Sequence, residues 1–118
     1  MAEITTRIHI FVYLKRKFPN ACTGSFVDWE PIDTYIVRAA DVRKVRPASS
    51  KDSLEQKDKM LAGEAVQFLT QQNPHAVFVY FGQVDEVGHR DGFHPSVPSY
   101  LQAIQTVDVH IASLIGAL

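Results

Sequence analysis

Hydrophobic residues recur along the chain with two spacings, and these spacings divide it into helical and extended segments. Residues 4–18, 53–72 and 99–118 place apolar side chains three or four positions apart, which predicts three amphipathic helices. Pro19 and Pro74 follow the first two of these segments and are expected to end the helices. The predicted helices therefore cover about half of the chain.

Three segments between the helices have the composition of strands. Residues 21–29 contain Thr23, Val27 and two aromatic side chains, which favours a strand. Residues 76–81 are apolar throughout, as is typical of a strand covered on both faces in a parallel sheet. Residues 35–45 are ambiguous: their first three residues favour a strand, and the rest fits either a strand or a turn. The pattern thus contains two or three strands.

The remaining segments predict connections of unequal length. Residues 30–33 form a short predicted loop, and residues 47–51 a polar connection. Residues 82–98 contain three glycines and two prolines and predict a loop of 17 residues. Such long loops in compact domains are usually either functional or disordered. The last of the three connections is therefore the first place to look for chemistry.

The order of the elements predicts an α/β fold. Strands that alternate with amphipathic helices favour a parallel-sheet layer flanked by helices. With two or three strands the sheet is thin, so we expect a single partial α/β domain over residues 1–118. Open sheet edges favour pairing with another chain, and homo-oligomerisation through those edges is one expectation.

Composition narrows the class of partner. The chain has 118 residues, of which 46% are hydrophobic and 21% charged, and its formal net charge is −1. Neither an attraction to nucleic acid polymers nor a membrane-spanning segment is expected from these values. Two basic clusters, residues 15–17 and 43–46, are interpreted as solvated faces. The lone Cys22 is interpreted as a small buried residue, and localisation is left open because no targeting segment is recognisable.

The predicted loop at residues 82–98 is the densest group of ionisable side chains. Within it, Asp85 and His89 offer a carboxylate and an imidazole, which are good ligands for zinc and similar ions. Gly88 is expected to turn the chain sharply and direct His89 toward Asp85, and Gly92 to allow a second turn. Composition alone leaves two interpretations open: a metal site, or a surface loop in which Asp85 caps a turn and His89 is exposed.

The order of these residues resembles a known family. The match consists of a buried strand, an Asp-x-x-Gly-His-x-x-Gly segment, a helix led by Tyr with Val-Asp in its middle, and upstream a Thr-Gly strand closing on Trp. The residues are Phe78 to Phe81, Asp85, Gly88, His89, Gly92, Tyr100, Val107, Asp108, Thr23, Gly24 and Trp29. This pattern resembles the type I phosphodiesterase/nucleotide pyrophosphatase family of the alkaline phosphatase superfamily. The similarity covers nearly the whole chain and is weaker between residues 34 and 50.

The resemblance implies a fold, a cofactor and a substrate class. It implies an alkaline phosphatase-like fragment and a hydrolase that uses two metal ions, usually zinc, on small phosphate esters. It also implies that Asp85, ionised, and His89, neutral, bind one of those ions. In the family a Thr or Ser attacks phosphorus.

The sequence departs from the family pattern at most of the other site positions. It has no counterpart of the early metal-binding Asp, of the nucleophile or of the Asp-His-Gly ligand triplet. Thr5 and Thr6 are not assigned as nucleophiles, and His94 and His110 do not occupy ligand positions. We therefore assign no catalytic residue and expect a chain that carries half of a metal site and is inactive alone.

Two alternatives remain at this point. The chain could be a non-catalytic module of the same descent that acts through self-association or partner binding. It could also be an unrelated small α/β binding domain whose loop imitates the motif.

Overall fold

The computed structural model describes residues 9–47 and 49–118. This part of the chain contains five helices and three strands. In chain order they are α1 (Ile10–Lys17), β1 (Thr23–Val27), α2 (Glu30–Tyr35), β2 (Val42–Val45), α3 (Leu54–Gln72), β3 (Ala76–Tyr80), α4 (Gln83–Asp91) and α5 (Pro98–Gly116).

The three strands form one parallel sheet in the order β2-β1-β3. The central strand β1 is buried at all five residues. Its Ser25 lies opposite Arg43 of β2 on one side and Phe78 of β3 on the other. The predicted α/β class, a parallel-sheet layer flanked by helices as in an alkaline phosphatase-like fragment, is confirmed.

Helices cover both faces of the sheet. One apolar cluster joins Phe11 of α1 and Ile32 of α2 to Val27 of β1. The other joins Leu61 and Phe68 of α3 to the opposite face of β1, with α5 packed beside them. Successive residues of β3 contribute alternately to the two clusters, as the period of a strand requires. The prediction that this strand has apolar contacts on both faces is confirmed.

The three predicted amphipathic helices are present where the structure describes them. Ser53 caps α3 by accepting a hydrogen bond from the Gln56 backbone N–H at 3.1 Å. Asn73 ends α3 in the left-handed conformation, with φ of 44°. Of the first predicted helix, α1 is observed, whereas residues 4–8, including Thr5 and Thr6, lie outside the described residues.

The predicted loop at residues 30–33 and the strand favoured at residues 35–37 are both wrong. Residues 30–35 form the short helix α2, and the strand β2 begins only at Val42. Pro31 lies at the start of α2, where its fixed φ suits a helix, and Glu30 and Asp33 place negative charge in the first turn. These local signals outweigh the strand propensity of the residues after Asp33.

The predicted loop at residues 82–98 is also wrong over its first half. Residues 83–91 form α4, and only the short segment before Pro98 is irregular. Acidic residues occupy the first turn of α4 and basic residues its last turn, and these positions stabilise the helix by interacting favourably with its dipole. Of the three glycines that suggested a loop, Gly82 and Gly92 lie at the two ends of this helix and Gly88 lies inside it.

The two basic clusters are engaged in ion pairs within the chain. Lys15 pairs with Asp41 at 2.5 Å, and Arg43 binds the Asp33 carboxylate with two hydrogen bonds. Arg46 likewise pairs with Glu64. Cys22 is half-buried just before β1, beside the second apolar cluster. In the described part of the chain, no helix combines the length and apolar character that crossing a membrane requires.

Candidate functional site

The helix α4 begins at the carboxyl end of β3, the edge at which parallel sheets hold ligands. Gly82 is its N-cap residue and offers no side chain to cap the free N–H groups. Asp85 lies in the first turn, and His89 follows one turn later. The motif is therefore displayed on a helix and not on a loop.

The helix brings the two predicted metal ligands together. Residues four apart in a helix lie on one face, and Asp85 Oδ1 is 3.4 Å from His89 Nε2. Both side chains are open to solvent, with 58% of the Asp85 side chain and 71% of the His89 side chain exposed. The predicted proximity is thus observed, but helical spacing produces it and not a sharp turn at Gly88.

This spacing fits a shared metal ion. Two atoms bound to one tetrahedral zinc ion at about 2.1 Å lie about 3.4 Å apart. The donor set, one carboxylate and one imidazole, is also the type that zinc binds. Within residues 9–47 and 49–118, no three His, Cys, Asp or Glu side chains group closely enough to hold a metal. The pair is therefore suited to one side of an ion, with the other positions left open.

Gly88 makes room for an aromatic ring beside His89. It has helical geometry inside α4, and a β-carbon there would overlap the Phe93 ring. Phe93 contacts the His89 ring edge-on, with ring centroids 5.1 Å apart, and packs in the same way against Tyr100 at 5.5 Å. The absence of a side chain at Gly88 thus allows an aromatic contact that orients the imidazole.

The second predicted turn is present at Gly92. Its φ of 119° is accessible to glycine and strained for other residues. Beside it, Asp91 accepts two hydrogen bonds from Arg90 and one from the Ser99 hydroxyl at 2.6 Å. The bonds from Arg90 and then Ser99 lower the pKa of Asp91 to about 2. The ionised Asp91 therefore connects the end of α4 to the start of α5.

A buried carboxylate from α3 supplies the cap that Gly82 lacks. Asp58 is fully buried and accepts the Gly82 N–H at 3.2 Å and the Gln83 N–H at 3.0 Å. Burial raises the pKa of Asp58, although these two backbone hydrogen bonds act in the opposite direction. Asp58 thus satisfies two backbone donors at the point where α4 leaves the sheet.

A second carboxyl group lies beside Asp58. Asp28 directly follows β1, is only 7% exposed, and has its Oδ2 buried without a hydrogen-bond partner. A β-carbon on Gly82 would lie 2.6 Å from this oxygen, so the chain passes directly over Asp28. Burial, followed by the charge of Asp58 and a hydrogen bond with it, raises the pKa of Asp28 to about 7. Asp28 therefore keeps its proton to a higher pH than an exposed aspartate does.

The negative charges extend to the neighbouring surface. Burial first, and then the charges of Asp85 and Asp28, raise the pKa of Tyr80 at the end of β3. A cleft of about 390 Å³ opens next to Asp28 and is lined by Trp29, Lys57 and Glu86, among others. A solvent-accessible cleft beside acidic side chains thus borders the helix that carries Asp85 and His89.

The other histidines considered from the sequence lie away from the pair. His94 follows α4 and its Nδ1 accepts a hydrogen bond from the Ser96 backbone N–H at 3.1 Å. His110 lies on α5 and packs against Phe81, with ring centroids 5.6 Å apart. Among the residues that the structure describes, neither His94 nor His110 lies in a group of three or more possible metal ligands.

Asp28 and Asp58 were not recognised from the sequence, although each carries a signal. Asp58 occupies a position in the apolar stripe of α3, between Leu54 and Leu61, where a charged side chain must be buried. Asp28 comes directly after a strand, at the edge where parallel sheets present functional groups. A polar residue at a core position is thus the signal that would have found both.

Comparison with known proteins connects this site to one family. A family model described as "Type I phosphodiesterase / nucleotide pyrophosphatase" matches residues 5–118. No curated protein matches the chain. The matched range includes all three strands and the whole of α4, so the similarity covers the fold together with the candidate site.

Proposed function

The chain belongs to the type I phosphodiesterase/nucleotide pyrophosphatase family, and from this premise we propose that it forms part of a metal-dependent hydrolase of phosphodiesters or nucleotide pyrophosphates. The family indicates a hydrolase of this type. The expected substrates are small phosphate esters, and neither nucleic acid polymers nor a membrane is an expected partner.

Asp85 and His89 are proposed to bind one side of a divalent metal ion, with zinc the expected ion. The observation that carries this proposal is the 3.4 Å separation of Asp85 Oδ1 and His89 Nε2 on an exposed helical face. Phe93 would hold the imidazole, and Asp85 would supply the negative charge that balances the cation. A bound ion of this kind supplies Lewis-acid chemistry at a phosphoryl oxygen or at water.

We further propose that this chain alone does not hydrolyse phosphodiesters. The nucleophile and the Asp-His-Gly ligands of the family pattern have no counterpart in the sequence. Phosphoryl transfer depends on positioning and on neutralising charge at several points at once. Two ligands of one ion supply only part of that arrangement.

The metal proposal is tested by zinc titration with matched histidine variants. We expect the wild-type chain to bind zinc weakly, because tight sites use three or four protein ligands. His89→Ala and Asp85→Ala should each abolish that binding, and ring-nitrogen NMR signals should identify His89 Nε2 as the ligand atom. His94→Ala is the control, because His94 is a histidine in the same segment outside the pair. Loss of zinc binding in the control, with binding retained in His89→Ala, would contradict the proposal.

The absence of turnover is tested with bis(p-nitrophenyl) phosphate and zinc. The purified chain should give the same rate of nitrophenol release as zinc alone. Zinc-dependent hydrolysis that disappears in His89→Ala would show that this chain completes a catalytic site, contrary to the proposal.

A second candidate function is a non-catalytic module of the same descent that self-associates. In the described part of the chain β3 pairs only with β1, and its five residues are all apolar or aromatic. An apolar groove of about 240 Å³ between β3 and α5 lies along this edge. Light scattering coupled to size-exclusion chromatography tests the idea: a dimer that Ile115→Lys in the groove dissociates, while Val109→Lys does not, would favour it.

A further inference from the structure

We propose that Asp58 and Asp28 are positioning residues for α4: Asp58 holds the first turn of the helix, and a proton shared with Asp28 keeps Asp58 in place. This inference rests on the proposed function, since it assigns these two acids to the same metal-binding helix. Neither residue contacts the proposed ion. Both would act through the placement of Asp85 and His89.

The first step of the argument is the way α4 begins. A helix leaves its first N–H groups without partners inside the helix, and here the N-cap residue Gly82 has no side chain. Asp58 accepts hydrogen bonds from the backbone N–H groups of Gly82 and Gln83, one on each carboxylate oxygen. The carboxylate therefore fixes both the position and the direction of the chain as it leaves β3, two residues before Asp85.

The second step is the effect of that contact on the ligands. Asp85 and His89 lie within about two turns of the capped end, so a shift of the first turn moves both side chains. A negative charge at the positive end of a helix is stabilising, and here it is buried where water cannot replace it. Groups that orient metal ligands indirectly typically change metal affinity by about 10–100-fold when they are removed.

The third step is the state of Asp28. Two neighbouring buried carboxyl groups cannot both ionise without a large cost, so a shared proton is the stable arrangement. Oδ2 of Asp28 lies buried against Gly82 without a hydrogen-bond partner. Around Asp28, Asp58 and Lys57 approach from α3, Glu86 from α4 and Tyr80 from β3, while Glu30 lines the adjacent cleft. Only Lys57 among these groups is cationic, and it favours ionisation of Asp28.

The consequence is a pH dependence that the ligands alone would not show. When Asp28 loses the shared proton, two buried charges repel under Gly82 and displace the first turn of α4. Zinc affinity of the wild type should therefore fall above neutral pH.

The experiment measures zinc affinity and amide hydrogen exchange of the full chain between pH 6 and 8. Inorganic zinc is the probe, and exchange of the Gly82 and Gln83 amides is followed by NMR without metal. In the wild type, protection of these amides should fall by about tenfold or more over this range, after correction for the intrinsic rate. Asp28→Asn should remove both falls, because an uncharged amide replaces the protonated acid. Asp58→Asn should weaken zinc binding at least about tenfold.

Glu55→Gln is the matched control, since Glu55 is an exposed acid on α3, the helix of Asp58, and does not bond to the start of α4. It should retain the wild-type profile. If Asp58→Asn fails to fold, Asp28→Asn still decides the matter, because it preserves the shape of the pair. Wild-type protection that is independent of pH, or an unchanged fall in Asp28→Asn, overturns the inference.

The two proposals fail in different ways. If zinc binds through Asp85 and His89 but its affinity is unchanged in Asp58→Asn, the positioning role is overturned and the proposed function stands. If amide protection responds to Asp28 as expected but zinc never binds, the proposed metal site is overturned. In that case the carboxyl pair still holds the helix.

Discussion

One pair of titratable residues lies beneath α4 and another on its outer side, and the two pairs differ in almost every physical respect. Asp28 and Asp58 lie beneath the start of the helix, buried and bonded to its backbone or to each other. Asp85 and His89 lie on its outer side, exposed and bonded to little besides each other. The inner pair is determined by its surroundings, whereas the outer pair is free to accept a ligand.

The two pairs have different roles, because the buried pair holds the helix and the exposed pair is open to a ligand. A metal ion needs donors that it can reach, so its ligands must be exposed or line an open space. Exposed side chains are mobile, and their placement must then come from the backbone that carries them. Here the backbone is held from below by Asp58 and from the side by the Phe93 ring. We therefore expect substitutions of the inner pair to affect stability and those of the outer pair to affect binding.

The largest expected contrast comes from removing one acid on each side of the helix. Asp58→Ala leaves two buried N–H groups without partners, and we expect the free energy of unfolding to fall by about 2–5 kcal/mol. Asp85→Ala removes an exposed acid and should change stability by no more than about 0.5 kcal/mol. Urea denaturation followed by circular dichroism measures both. Equal losses in the two variants would contradict the distinction between the two sides.

A smaller effect is expected from pH. The pKa of Asp28 is raised to about 7 in the folded chain, so between about pH 4 and 7 the folded state holds a proton that the unfolded state releases. Stability from this group is complete below about pH 4 and is lost as pH rises to about 7. The free energy of unfolding should be lower at pH 8 than at pH 5 by about 2 kcal/mol, which lowers the melting temperature by about 10 °C.

Asp28→Asn tests the origin of that pH effect. The variant should melt at nearly the same temperature at pH 5 and pH 8. The lowered pKa of Asp91 acts in the opposite direction, but only in acid between about pH 4 and 2, so it does not interfere. A variant that keeps the wild-type pH dependence would assign the effect to another group.

The smallest expected effect compares two glycines inside helices. Gly63 of α3 has open space around it, and Gly63→Ala should stabilise the chain by about 0.5–1 kcal/mol through helix propensity. Gly88→Ala should gain nothing, because its β-carbon displaces Phe93 from His89 and Tyr100. Urea denaturation distinguishes them, and zinc affinity should fall in Gly88→Ala alone. An equal gain in stability in both variants would show that Phe93 does not hold the histidine.

The elements that could be predicted from the sequence are those with a continuous pattern. The long helix α3 and the helix α5 repeat apolar residues over 19 positions each, and β3 is an unbroken apolar run. The errors fall on α2 and α4, which are short. Helices of six and nine residues offer few periods to count, and α4 contains a glycine that reads as a break. Its first turn is capped by Asp58, 25 positions from Gln83 in the chain.

The sequence by itself determined the family, the parallel α/β class and the pairing of Asp85 with His89, because spacing along the chain and an ordered motif are properties of the sequence. Only the tertiary structure decided that the motif is helical and that Gly88 makes room for the Phe93 ring. The tertiary structure alone also brought Asp28 and Asp58 together beneath Gly82. Those contacts join residues 24 or more positions apart, and their energies depend on burial, which spacing along the chain does not encode.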